Sequence, residues 1–296
     1  MRAVTQGKNV RRHTAAALAA VVVVLLALVF FLRPPVLILT DAAFDRIYGE
    51  KRAGAAAGRL SLAFFRRVKP VRVGENAGPD MVVFALETAA ANPYCVLVPY
   101  RYADGARRYA REFPETPVGV LGAEAPELSR ENGEGSPLFF SAGREDDMYR
   151  AGRCAAILGG GGTVLVYHNG DPSAFRPALE EGLDGGAELR LLGPGAEFEN
   201  FDGVSCVILG RHSQPFTDNA PDIPVILFSW LDPALTTRET KVIFDDSPWA
   251  QAFEAVKMTV RGKAASVPSR MILPWGRTAG GEILERLREV PRFYRK

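Results

Sequence analysis

Apolar residues fall along this chain in short consecutive runs, separated by stretches where they recur every three or four positions. Val36-Leu37-Ile38-Leu39-Thr40 predicts a strand covered on both faces, and a helical stretch follows from about Ala43 to Val68. Met81 to Leu86 and Cys95 to Pro99 predict two further strands, Ala103 to Phe113 a helix, and Pro117 to Leu121 another strand. Residues 122–136, GAEAPELSRENGEGS, are polar and rich in Gly, Glu and Ser, which predicts a surface loop.

The alternation then restarts. Leu138-Phe139-Phe140-Ser141 predicts a strand, and a helix follows from about Glu145 to Leu158. The four glycines 159–162 close that helix rather than open one, so they read as a helix stop and turn, not a phosphate loop. Thr163 to Tyr167 is the next strand, and Phe175, Ala178, Leu179 and Leu183 share one face of the next helix. Val204 to Leu209, Ile223 to Phe228 and Lys241 to Phe244 predict strands. Trp249, Ala252, Phe253, Val256 and Val260 mark a strong final helix, and Met271 to Leu273 a last strand.

Two β/α sets in succession predict two Rossmann-like α/β lobes with parallel sheets, joined by a hinge. The expected division is 35–140 for lobe 1, with a helix from about 248–263. Lobe 2 takes 141–247, with a strand at about 268–275, and 276–296 forms a basic C-terminal segment. Ligands of open α/β sheets bind outside the carboxyl ends of the strands, so the cleft between the lobes is the expected site.

The first 33 residues set the expected compartment. Ala15 to Leu32 is an unbroken apolar run, about 27 Å of helix, preceded by Arg11 and Arg12 and ended by Arg33-Pro34-Pro35. Residues 15–33 read as one transmembrane signal anchor after a basic tail at 1–14. The excess of positive charge upstream keeps the N-terminus in the cytoplasm and exports the rest. A cleaved signal peptide needs small residues after the apolar core, and here Val29-Phe30-Phe31-Leu32-Arg33 follows it. The expected location is the cytoplasmic membrane, with a single pass.

Arg2, Lys8, Arg11, Arg12 and Arg33 carry no acid among them. Without those five the 36 Lys and Arg fall to 31, against 34 Asp and Glu, so the exported part is slightly acidic. That excludes a general nucleic-acid binder, which needs a basic face. Cys95, Cys154 and Cys206 have no metal-type spacing and lie in apolar runs, so buried free thiols are expected. With three histidines and no ligand pattern, no metal site, cofactor or catalytic triad is expected.

Three stretches resemble the type I periplasmic-binding-protein superfamily. They are VLILTDAAF at 36–44; EDDMYRAGRCAAIL at 145–158 with the GGGGTVLVYHNGDPSAFRPALEEGL that follows; and VIFDDSPWAQ at 242–251, running on to VRGK at 260–263. The second is similar to that superfamily's crossing into its second lobe, in particular in basic-membrane-lipoprotein and sugar-binding-like members. The third is similar to the recrossing of the hinge. Resemblance implies a solute-binding protein that serves an ABC permease or a membrane sensor. A nucleoside-binding member would carry Asp where this chain has Phe228-Ser229-Trp230, and Lys where it has Asp245-Asp246, which argues against a nucleoside as solute.

Strand-end positions supply the candidate ligand-binding residues: Asp41 and Phe44, Tyr100 and Arg101, Ser141 and Arg144, His168, Ser229 and Trp230, Asp245 and Asp246. Asp41 reads equally as the cap of the helix after it. Tyr100-Arg101-Tyr102 joins flat apolar surface to a cation, which suits an anionic or ring-bearing solute, or a loop whose Arg snorkels. Trp249 falls on the apolar face of its helix and reads as core. The expected function is solute binding without chemistry. The alternatives are a ligand-free interaction module on the same fold, and a membrane-bound hydrolase using Asp245 or Asp246.

Overall fold

In the computed structural model the described residues are 3–43, 45, 50–123, 135–168, 172–193, 201–210, 222–228, 236–245, 247–263, 265–274 and 281–291. They form two six-stranded sheets. The first holds β1 (Val36–Thr40), β2 (Val68–Arg72), β3 (Cys95–Pro99), β4 (Val118–Ala123), β5 (Leu138–Ala142) and β11 (Ala265–Val267) in the order β2-β1-β3-β4-β5-β11, all parallel. The second holds β6 (Thr163–His168), β7 (Glu188–Leu192), β8 (Val204–Gly210), β9 (Val225–Phe228), β10 (Thr240–Asp245) and β12 (Arg270–Ile272) in the order β7-β6-β8-β9-β10-β12. Only its edge strand β12 runs antiparallel, paired with β10. The two-lobe parallel architecture expected from the sequence is therefore present.

Alternation along β1 explains why its residues are all apolar up to Thr40. Leu37 and Leu39 enter one core with α3 (Pro79–Ala89) and α4 (Ala103–Glu112), through Val82, Leu86 and Tyr109. Val36 and Ile38 enter the opposite core with α2 (Glu50–Phe64) and α7 (Pro248–Val260), through Leu60, Trp249 and Val256. A strand covered on both faces has no polar side to show. Trp249 is thus core, as its helical spacing implied.

The second sheet carries α5 (Arg144–Gly159), α6 (Arg176–Leu183) and α8 (Glu282–Arg288) on one face, packed over Val164, Ile208, Phe228 and Phe244. Helices α5 and α6 meet through Gly152 and Gly182. A Cβ on Gly182 would come 2.2 Å from the Tyr149 carbonyl oxygen, and one on Gly152 2.6 Å from that of Leu179. Gly160, in the left-handed conformation at φ 59°, ends α5, so the glycine run is the helix stop its position suggested.

Met81 to Leu86 is a correction: these residues form helix α3, not a strand. Pro79 starts the helix at its first turn, and Val82, Val83 and Leu86 are buried at helical spacing. Met81 and Phe84 are exposed, so apolar side chains on the solvent face mask the period.

Among the described residues the chain crosses between the sheets three times. It leaves β5 for α5, leaves β10 for α7, which packs on the first sheet, and passes from β11 to β12. At its N-terminus α1 (Ala3–Leu32) runs directly into β1 through Pro34 and Pro35. Its side chains are described from Ala17 onward, about 24 Å of helix, with Leu25, Leu28 and Phe31 exposed. Among the described residues no helix is long and apolar enough to cross a membrane.

Candidate functional site

In a sheet ordered β2-β1-β3-β4-β5 the connections leave β1 and β3 toward opposite faces, which opens a crevice at their carboxyl ends. Asp41, directly after β1, and the 3₁₀ turn Tyr100–Tyr102, directly after β3, sit at that switch point. They bind one another. Tyr102 Oη donates to Asp41 Oδ2 at 2.5 Å, with the carbonyl oxygens of Gly74 and Glu75 at 3.0 and 3.2 Å. Arg101 Nη1 lies 3.0 Å from the same carboxylate oxygen, and its Nη2 donates to the Glu75 carbonyl at 2.5 Å.

The burial of these partners differs in a way that matters. The Asp41 side chain is fully buried, whereas that of Arg101 is 42% exposed and presents its remaining surface outward. Burial, the hydrogen bond to Asp41 and that carboxylate's charge push the Tyr102 phenol up to about 12, so the hydroxyl keeps its proton and acts as a donor. Tyr100 is half-buried beside them. Two hydroxyls at strand ends of this sheet, Thr40 Oγ1 and Ser141 Oγ, are buried and have no hydrogen-bond partner among the described residues. Buried hydroxyls are ordinarily paired, so these two are open positions in the polar accounting.

The second sheet repeats the arrangement, with its switch point between β6 and β8. His168 ends β6, half-buried, with its ring 5.1 Å from that of Phe175 in an edge-on contact. Gly210 ends β8 beneath it, and a Cβ there would come 2.9 Å from His168 Cδ2. Asp245 ends β10 half-buried, and its Oδ1 accepts from Ser247 N at 3.3 Å. Ser247 in turn caps α7, its hydroxyl accepting from Ala250 N. Asp245 therefore stands in a turn that starts a helix. Phe44, Ser229, Trp230 and Asp246 lie outside the described residues.

Between the two edges is the hinge. Arg144 opens α5, partly buried, and Asp147 lies one turn further on, fully buried. Asp147 Oδ1 accepts from Ser269 N at 2.9 Å, and its Oδ2 accepts from the Ser269 hydroxyl. Arg150 Nη1 donates to the Ser269 carbonyl at 2.6 Å and lies 3.5 Å from Asp147 Oδ1. This network ties the first crossing to the third. Burial pushes the Asp147 carboxyl up to about 6, against the opposing pull of the Ser269 hydrogen bonds and the Arg150 charge. Strand-end reasoning pointed to Arg144 and passed over Asp147 and Ser269, whose pairing spans 122 residues.

Chemically these edges offer hydroxyls, an exposed guanidinium, an imidazole and aromatic rings. Among the described residues no group of three His, Cys, Asp or Glu is placed to hold a metal ion.

No protein-family model and no curated protein sequence matches the chain. Solved structures do. The ABC transporter solute-binding protein of Conexibacter woesei superposes with a TM-score of 0.56 at 14% identity, over 86% of this chain and 93% of that one. A sugar-binding protein of a sugar ABC transporter from Bacillus halodurans gives 0.52 at 12% identity, over 83% and 99%. A transcriptional activator of the comK gene from Bacillus halodurans gives 0.57 at 11% identity, over 87% and 95%. The chain has the type I periplasmic-binding-protein fold, in line with the likeness in its sequence motifs.

Proposed function

We propose that the chain is an extracytoplasmic solute-binding protein, held to the cytoplasmic membrane by residues 15–32, that receives a small polar molecule between its lobes without acting on it chemically. The observation that carries this reading is the placement of Arg101 and Tyr100 at the switch point of one sheet and His168 at that of the other, at carboxyl edges joined by three crossings. The unpaired hydroxyls of Thr40 and Ser141 add hydrogen-bonding capacity for a hydroxyl-bearing or anionic solute. Asp245 and the undescribed Phe44, Ser229, Trp230 and Asp246 complete the proposed set. Two of the similar structures are named as components of ABC transporters, which supports delivery to a permease, with a membrane sensor as the alternative recipient.

The test is thermal unfolding of the purified chain against sugars, nucleosides, amino acids and aromatic acids at millimolar concentration. A bound solute raises the melting temperature by mass action. A rise confined to one chemical class supports the proposal, and no rise in any class contradicts it.

A second reading, an interaction module that has lost its ligand, is favoured by one observation. Asp41, the most buried strand-end acid, already has its carboxylate engaged by Tyr102 and Arg101. Under that reading the panel gives no shift while a protein partner does.

A further inference from the structure

The end of lobe 1 opposite the cleft carries a cluster that solute binding does not use. It is built where α1 enters β1. Phe65 follows α2 in the left-handed conformation, φ 48°, a conformation that strains any residue with a side chain. That strain places its ring 5.5 Å from Phe30 of α1 and 5.4 Å under the Arg33 guanidinium. Arg67 stands 5.7 Å from the Phe31 ring, and Arg66 donates to the Pro34 carbonyl at 3.2 Å while covering Tyr94 at 3.8 Å. The exit of α1 is thus fastened to lobe 1 by aromatic and guanidinium contacts on both sides.

Two further features make this an outward-facing surface. Arg33, Arg66 and Arg67 form no ion pair among the described residues. Beside them Leu62 is 82% exposed, Leu32 81% and Phe31 59%. Arg261 and Lys263 are also exposed at the amino end of this sheet, before its opposite edge strand β11. Arginine with exposed Leu and Phe at the mouth of an apolar helix is the composition that suits a bilayer interface, where rings sit among headgroups and guanidiniums meet phosphates.

We propose that this edge of lobe 1 docks on anionic phospholipid headgroups around the exit of α1, which fixes the lobe on the membrane surface with the cleft turned away from it. The inference rests on the membrane-anchor reading above. It goes further, because an anchor alone would leave the lobes free to tumble on their tether.

The experiment uses the full chain in nanodiscs of phosphatidylglycerol or phosphatidylcholine. An environment-sensitive fluorophore is attached at Leu62→Cys, or at Asp104→Cys on the opposite edge as control. In phosphatidylglycerol discs the label at 62 should be blue-shifted and roughly threefold less quenched by aqueous iodide than the label at 104. That protection should weaken in phosphatidylcholine and be lost with Arg33→Glu plus Arg67→Glu, both exposed positions. A label at 62 as quenchable as that at 104, in discs that carry the chain, overturns the docking and leaves the anchor standing. Equal protection in lipid-free detergent overturns it in favour of protein–protein contact. A chain that does not co-elute with the discs refutes the anchor and the docking together.

Discussion

Asp147 receives two hydrogen bonds from Ser269, one from its backbone N–H at 2.9 Å and one from its hydroxyl, across a separation of 122 residues. The pair joins the first and third crossings between the lobes. It also makes the hinge sensitive to protons. In the fold this carboxyl titrates near 6, against 3.8 ordinarily, so between those values the folded chain keeps a proton that the unfolded chain has released. The stabilisation this gives is complete below about pH 3.8 and is lost as pH rises through about 6, an effect of about 3 kcal/mol. Urea unfolding of the wild type and Asp147→Asn at pH 4 and pH 7 should show the wild type losing about 2.4 kcal/mol relative to the variant, the part of that effect that falls between those two pH values. A difference independent of pH would contradict it.

Tyr102→Phe removes the hydroxyl that donates to buried Asp41. The carboxylate keeps Arg101 but loses the 2.5 Å hydrogen bond from Tyr102, a change expected to cost about 2 kcal/mol. Chemical denaturation measures it. An unchanged midpoint would show that the Tyr102–Asp41 bond adds nothing.

Gly182→Ala drives a methyl group into the Tyr149 carbonyl, where backbone has to move. The expected loss is about 3 kcal/mol, concentrated in lobe 2, because α6 has to separate from α5. Hydrogen exchange resolved by segment should show faster exchange in residues 144–183 and little change in β1 to β4. Uniform or absent change would contradict the close helix contact.

The three thiols offer a test of burial. Cys95, Cys154 and Cys206 are each fully buried and unpaired, and burial pushes Cys95 and Cys154 up to about 12 and Cys206 higher still. The folded chain should therefore not react with a thiol reagent at pH 8, and should release three equivalents on denaturation. Reaction in the native state would contradict the packing of β3, α5 or β8.

Much of the fold is legible in the sequence because its central strands are apolar on both faces. β1, β3, β6 and β8 advertise themselves as consecutive runs of Val, Leu and Ile. The edge strands do not: Val68–Arg72 reads VKPVR and Glu188–Leu192 reads ELRLL, since each has one neighbour and charges facing water. Strand β11 is three residues long and gains its identity only from pairing with β5. Helix α3 hid because Met81 and Phe84 are exposed.

The candidate site was legible to the extent that strand ends mark it. Asp41 and Arg101 could be picked out that way. That Tyr102 and Arg101 close on Asp41 could not, because 61 residues separate the tyrosine from the acid and only the β1–β3 pairing brings them together.

The most direct test of solute binding between the lobes is a distance across them. Spin labels at Asp104→Cys and Ser173→Cys stand just beyond the carboxyl ends of β3 and β6, and pulsed electron resonance measures their separation as the solute panel is added. Domain closure around a ligand predicts a shorter and narrower distance distribution with the one class that also raises the melting temperature. A distribution that no solute changes would contradict the account.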